Sequence, residues 1–357
     1  MSPRARLALL AAAAAASAAM LRPAANPEAS PGPRRTDAFA AGKHRGVCYA
    51  HSMRRGQGYG SAASGESLRA LSAMGAAWVS LTPFGFQRAS DDTEIRWSGE
   101  RISESDDRLR AATAQARAHG LKVMLKPHIW LRPPAWPGSI DHRTDAAWAA
   151  WFAGYRAFIL HYAALAQREG MDAFCIGNEL QHASLREREW RELIGAVRAA
   201  YSGPITYGAT AEEVTGVPFW DAVDFIGVSA YFVLTPDKTP APAALSAAWR
   251  PVSDRLRALS ARHGKRVVFT EIGYRSADFA AWRHWEITDE APVNLRAQQN
   301  AYASFFDAVW GEEWMGGAYF WKWFSHPGHS GPDSNDFEFE GKPAAEIVAA
   351  AYRAEAA

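Results

Sequence analysis

The sequence predicts a single closed (β/α)₈ barrel, and three observations carry that prediction. Eight short apolar or β-branched runs occur in order, several of them apolar on both faces, as parallel strands covered on both sides require. Amphipathic helical patterns lie between them. The alternation fills residues 44–357, an ordinary length for one barrel domain, since these commonly run to about 250 residues or more. An open doubly wound sheet is the alternative topology. The glycines at 56, 58 and 60 do not support it: position 61 is Ser, so the dinucleotide-loop pattern is incomplete.

The strands are expected at 45–49, 76–81, 121–127, 173–177, 205–208, 225–230, 266–270 and 317–321. Trp148, Trp151, Phe152, Tyr155, Phe158, Ile159, Tyr162 and Leu165 follow helical spacing before the fourth strand. Leu245, Trp249, Val252, Leu256 and Leu259 do so before the seventh. Ser184-x-x-Glu187 has the form of a capping box. Gly120, Gly170 and Gly264 stand where helices end, each just before a strand. Between the fifth and sixth strands there is room only for a turn or two of helix near 219–222.

Ahead of the barrel, Arg4 and Arg6 precede an apolar stretch at 7–21 with small residues at Ala16-Ser17-Ala18. This has the form of a signal peptide at 1–21, with an uncleaved anchor as the alternative. Residues 22–43, rich in Pro, Ala and Arg, read as a disordered linker. The expected location is secreted or periplasmic, with no membrane contact after cleavage and a monomeric state.

Composition narrows the function. The 357 residues carry 39 Lys+Arg and 38 Asp+Glu, so no general field attracts nucleic acid or anionic lipid. Two cysteines cannot staple such a chain. Cys48 and Cys175 fall in separate strand runs and read as buried thiols. Fifteen tryptophans are many. Trp148, Trp151 and Trp249 lie on helix stripes; Trp130, Trp282, Trp285, Trp321 and Trp323 fall on or beyond strand ends.

Chemistry in such barrels sits at the C-terminal ends of the strands. The third expected strand ends in Lys126-Pro127-His128-Ile129-Trp130, the fourth in Gly177-Asn178-Glu179 and the sixth in Ser229-Ala230-Tyr231. The seventh ends in Thr270-Glu271-Ile272-Gly273 and the eighth in Trp321-Lys322-Trp323. Two carboxyls on one rim are what glycoside hydrolysis needs: one protonates the leaving oxygen, the other attacks the anomeric carbon or activates water. Indole faces suit the apolar C–H faces of a pyranose. Trp130, Trp282 and Trp285 are therefore expected to line outer subsites, while Gln87 and Arg88 lie within reach after the second strand. Lys126 and His128 either bind sugar hydroxyls or form a buried salt bridge or supporting pair. No cofactor or metal is expected. His326 and His329 with Asp333 and Asp336 lack a third ligand of fixed spacing.

The order Asn178-Glu179, Tyr231, Glu271, Trp321 resembles the clan A glycoside hydrolases. Within them the chain is most similar to glycoside hydrolase family 113. The similarity rests on Gly58-Tyr59-Gly60-Ser61, Trp78-Val79-Ser80-Leu81-Thr82-Pro83, Lys126-Pro127-His128-Ile129-Trp130, Gly177-Asn178-Glu179, Thr270-Glu271-Ile272-Gly273-Tyr274 and Gly341-Lys342-Pro343-Ala344. The resemblance implies a retaining double displacement on β-mannan by an endo-β-1,4-mannanase. Glu271 would be the nucleophile and Glu179 the acid, then the base. Asn178 would hold the sugar 2-hydroxyl, Tyr231 would orient Glu271, and Trp321 would be the floor of the cleaved subsite. The expected partner is a neutral polysaccharide or oligosaccharide. Another clan A β-glycosidase, acting on glucan, xylan or galactan, and a non-catalytic carbohydrate-binding barrel are the alternatives.

Overall fold

A computed structural model describes residues 37–97, 104–132, 135–329 and 331–356. The expected signal peptide and most of the expected linker lie outside the described residues. Eight parallel strands close into a barrel: β1 (His44–Ala50), β2 (Trp78–Leu81), β4 (Lys122–Leu125), β6 (Ala173–Asn178), β7 (Ile205–Thr210), β8 (Ile226–Ser229), β9 (Val267–Ile272) and β10 (Met315–Phe324). The ring closes through β1, which pairs with both β2 and β10. All six residues of β6, β7 and β9 are buried, because each strand faces the barrel interior on one side and helices on the other. Among the described residues, no helix is long and apolar enough to cross a membrane.

The helices form the outer layer, and their caps are local. In α1 (Ala62–Ala73) the Ser61 hydroxyl accepts from the Ser64 N–H at 3.1 Å. α2 spans Asp106–Ala118. In α3 (Asp145–Arg168) Thr144 caps the Ala147 N–H at 3.2 Å. Each such cap contributes about 1 kcal/mol. The eight apolar positions read from the sequence on α3 are all buried. α4 is Glu187–Ala200, α5 Pro242–His263, α6 Leu295–Phe305 and α7 Pro343–Ala356. Gly264 ends α5 in the left-handed conformation, at φ 61°.

Four expectations are corrected. The capping box at Ser184 does not form: α4 begins at Glu187 after Arg186, and the Ser184 hydroxyl turns to Glu213 at 3.1 Å. The packed chain begins before His44, because the Phe39 ring covers His44 and Phe225 at the barrel base, at 5.2 and 5.9 Å. Trp323 is core, not rim. The register skips Lys322 between the pairs Cys48↔Trp321 and Tyr49↔Trp323, which flips side-chain parity. Its indole N–H therefore reaches Ser67 on α1 at 2.9 Å. Gln87 is also structural: its side-chain oxygen accepts from the Trp151 indole at 2.9 Å.

One feature is absent from the sequence reading. Strands β2 and β4 continue past Pro83 and Pro127 as a two-stranded parallel ribbon, β3 (Phe84–Gln87) and β5 (His128–Leu131). Backbone bonds bridge the prolines, Lys126 N–H to Leu81 O at 2.8 Å and His128 N–H to Pro83 O at 3.0 Å. The ribbon stands above the rim as a raised stretch of barrel wall.

Candidate active site

Glu271, near the end of β9, is buried and has partners from the ends of three other strands, of which only β8 adjoins β9. The Lys126 ammonium, fully buried just beyond β4, forms an ion pair with Oε1. Asn178 Nδ2, at the end of β6, lies 3.4 Å from the same oxygen. The Tyr231 hydroxyl, just past β8, donates to Oε2 at 3.0 Å. Burial works against the charge on Glu271, but Lys126 and the hydrogen bonds from Lys126 and Tyr231 outweigh it, so its pKa lies below the ordinary carboxylate value. Lys126 is thus placed under the carboxylate as an ion-pair partner and not in the cleft wall.

Asn178 is fixed on both ends of its amide. Its Nδ2 meets His128 Nδ1 at 3.0 Å, and its Oδ1 accepts from the Ser229 hydroxyl at 3.2 Å. Burial lowers the His128 pKa to about 4, with Lys126 adding to the effect, so the ring is a neutral acceptor at neutral pH. Gly208 on β7 makes room for this arrangement: a Cβ there would lie 2.4 Å from Asn178 Oδ1.

Glu179 occupies a different setting. Its φ is +54°, a conformation uncommon for a residue with a side chain. Its N–H donates to Gly208 O at 2.8 Å. The next N–H, of Leu180, donates to the Tyr207 hydroxyl at 2.8 Å, and that hydroxyl donates to Glu213 at 3.1 Å. Glu213 is buried and also accepts from the Thr210 N–H and the Ser184 hydroxyl. The Glu179 carboxylate accepts from the Trp136 indole at 2.9 Å. Burial, then the charge on Glu271, pushes its pKa up to about 7, against the lowering effect of the Trp136 bond. Burial likewise raises Glu213 to about 7.

The remaining expected residues divide. Trp321, on β10, comes close to the pair: the Lys126 ammonium lies 5.9 Å from its ring. Trp285, 58% exposed, connects through His284 (5.0 Å) to the Tyr231 ring (4.5 Å). Trp130 stands exposed on the ribbon. Trp282 lies in the same loop as Trp285, with the Arg283 guanidinium 5.6 Å from its ring, and is not among the described groups that touch Glu271 or Tyr231. The sequence reading missed Trp136, His284, Tyr207 and Glu213. Trp136 sits in a proline-flanked loop with no periodicity to mark it. Asp336 is ion-paired to Lys322 at 2.9 Å, and the His329 ring stacks on Phe324 at 3.6 Å.

Known proteins identify the family. The sequence matches the Glycoside Hydrolase Family 113 profile over residues 47–342. The fold superposes on the GH113 β-mannanase AaManA from Alicyclobacillus acidocaldarius, in complex with ManMIm, with a TM-score of 0.80 and 31% identity. That match covers 89% of this chain and 100% of the other. A second GH113 β-1,4-mannanase, also solved as a complex, gives 0.78 at 27% identity over 87% of this chain and 99% of its own. A β-glucuronidase from Ruminococcus gnavus, 13% identical with a TM-score of 0.55 over 81% of this chain and 46% of its own, shares the barrel fold alone. No curated protein sequence matches the chain. The match along most of the chain, on a barrel of the same architecture, settles the family: the chain belongs to glycoside hydrolase family 113 and is a glycoside hydrolase.

Proposed function

We propose that the protein is a secreted, retaining endo-β-1,4-mannanase in which Glu271 is the nucleophile and Glu179 the acid and then the base. The observation that carries the reading is the unlike surroundings of two rim carboxyls, one paired with a buried ammonium and the other with an indole N–H. Glu271 is held charged by Lys126 and Tyr231, and Glu179 is held protonated toward neutral pH by its enclosure and by the charge on Glu271. A nucleophile must be ionised and an acid must carry a proton at the same pH.

In the first step a Glu271 oxygen attacks the anomeric carbon, the glycosidic C–O bond breaks, and the Glu179 proton passes to the leaving oxygen. The product is a glycosyl ester on Glu271. In the second step Glu179, now a carboxylate, takes a proton from water; that water attacks the anomeric carbon and releases Glu271. Configuration is retained because the carbon is inverted twice. Asn178, clamped by His128 and Ser229, is placed to hold the sugar 2-hydroxyl, a bond that strengthens as oxocarbenium character develops. Trp321 supports the sugar face. The mannan substrate is supported by the two β-mannanases of the same family. Export is supported by the basic start and apolar stretch of residues 1–21.

The test is reducing-sugar release from mannan, glucomannan and galactomannan beside xylan, β-glucan and galactan, with viscosity followed in parallel. A steep early fall in viscosity on mannan is expected for endo cleavage. Activity on another glycan and none on mannan would replace the substrate and keep the chemistry. Glu271→Ala with azide should give a glycosyl azide of inverted configuration; normal turnover in that variant would overturn the nucleophile.

A further inference from the structure

We propose that the cleft continues onto the helix-free, cleft-side face of the β3–β5 ribbon, where Phe84, Phe86, His128 and Trp130 form a ladder of subsites for a linear neutral β-glycan. The inference rests on the glycoside hydrolase reading of the rim and extends it to how the chain beyond the cleaved linkage is held.

The ladder follows from strand geometry. Side chains alternate faces along a strand, so Phe84 and Phe86 share one face of β3, and His128 and Trp130 share one face of β5. The register sets Phe84 opposite His128 and Phe86 opposite Trp130, which puts all four rings on the same side. Ring centroids lie 5.8 Å apart for Phe84–His128, 6.4 Å for Phe84–Phe86 and 5.8 Å for Phe86–Trp130. The opposite face is sealed. Ile129 and Leu131 are buried in the core, a Cβ at Gly85 would fall 3.1 Å from the Phe158 ring of α3, and Gln87 accepts from the α3 residue Trp151. One face thus fixes the ribbon to a long helix, and the other is left open on the side of the cleft, where His128 meets Asn178.

Exposure rises along the ladder away from the carboxylates. Phe84 and His128 are half-buried, while Phe86 is 38% and Trp130 42% exposed. A cross-strand aromatic pair that merely stabilised the ribbon would gain most by being covered. The inner end is tied to the site itself: His128 holds Asn178, and Asn178 reaches Glu271. The four positions carry no ionised side chain at neutral pH, because the His128 ring is neutral there. A surface of successive ring faces, continuous with two catalytic carboxyls, suits the apolar faces of consecutive pyranoses.

The experiment compares Phe86→Ala, Trp130→Ala and the double variant by the ratio of kcat/KM on a mannohexaose to that on an aryl monoglycoside. Each ring should lower the ratio about 3- to 10-fold, and the pair about 10- to 100-fold. Trp130→Phe, which keeps a ring face, should restore most of the ratio. A ratio unchanged in the double variant, with melting behaviour like the parent's, would overturn the ladder. If the parent cuts a different β-glycan, that oligosaccharide replaces the mannohexaose and the ladder is judged in the same way. If the parent cuts no glycan, the functional reading fails. The ladder is then judged by retardation in gels containing mannan, where retardation lost in the double variant supports it and retardation unchanged rejects it.

Discussion

Glu271 and Glu179 stand on one rim, yet the protein holds them by different means. Glu271 is gripped from barrel strand ends: Lys126 past β4, Asn178 on β6 and Tyr231 past β8 all reach its oxygens. Glu179 is held from behind through its backbone, by the Leu180–Tyr207–Glu213 relay, and is touched in front by Trp136 from a loop. The difference matches the work each group is proposed to do. A nucleophile needs a fixed charge in a fixed place. An acid that becomes a base must change charge in every turnover, so strong ion pairing would lock it in one state.

That contrast can be broken most severely at the acid. Glu179→Gln should cost about 10²–10⁴ in kcat on unactivated glycan, and far less on aryl glycosides with good leaving groups. The alkaline limb of the parent's pH profile, expected near pH 7 from Glu179, should vanish in the variant on those activated substrates. The same residue makes a stability prediction. Because its folded pKa is raised from 4.5 to about 7, the folded chain keeps a proton that the unfolded chain loses across that window. The stability that Glu179 contributes therefore drops as pH rises from 4.5 to 7. Glu179→Gln should melt higher than the parent at pH 8, with the gap closing by pH 4.

Next in size is Lys126→Met. It leaves Glu271 buried without its cation, which should cost about 3–5 kcal/mol in denaturant melts at neutral pH. The rate should fall about 10²–10³. The acid limb of kcat/KM, which the depressed Glu271 pKa places below the ordinary carboxylate range, should move upward. An unmoved acid limb would separate the ion pair from the chemistry.

Smaller still is Glu213→Ala, which should lower kcat about tenfold by loosening the relay behind Glu179. Glu213→Gln, whose amide oxygen can still accept from Tyr207 and the Thr210 N–H while its NH2 donates to the Ser184 hydroxyl, should recover most of that loss. The mildest is Trp136→Phe. Removing the indole N–H takes away a bond that favours ionised Glu179, so the alkaline limb should shift upward with only a few-fold change in rate. A downward shift would mean that Trp136 does not act on the charged form.

The same contrast explains what the sequence made legible. Glu271, Asn178, Tyr231 and Lys126 sit at the ends of apolar runs, and the periodicity of those runs locates the ends to within a residue or two. Trp136, Tyr207 and Glu213 are placed by loop conformation or by a hydrogen bond to a distant backbone group, and no period encodes either. The ribbon was hidden because Pro83 and Pro127 read as strand ends, whereas the backbone pairing steps over both. Trp323 faces the core because one skipped residue reverses which side the strand presents, a matter of register that composition does not record. Ser184 matched a capping pattern but was claimed by Glu213.

Cys48 and Cys175, the chain's only cysteines, lie inside the barrel with Trp78, Met124 and Tyr319, unpaired and fully enclosed. Burial raises their pKa to about 12 and about 11, so neither presents a thiolate while the barrel is closed. A thiol reagent can label them only when the staves part. The rate of labelling in native buffer is therefore a clock for whole-barrel opening, readable without engineering a cysteine into the chain. Glycan bound across the rim should slow that clock.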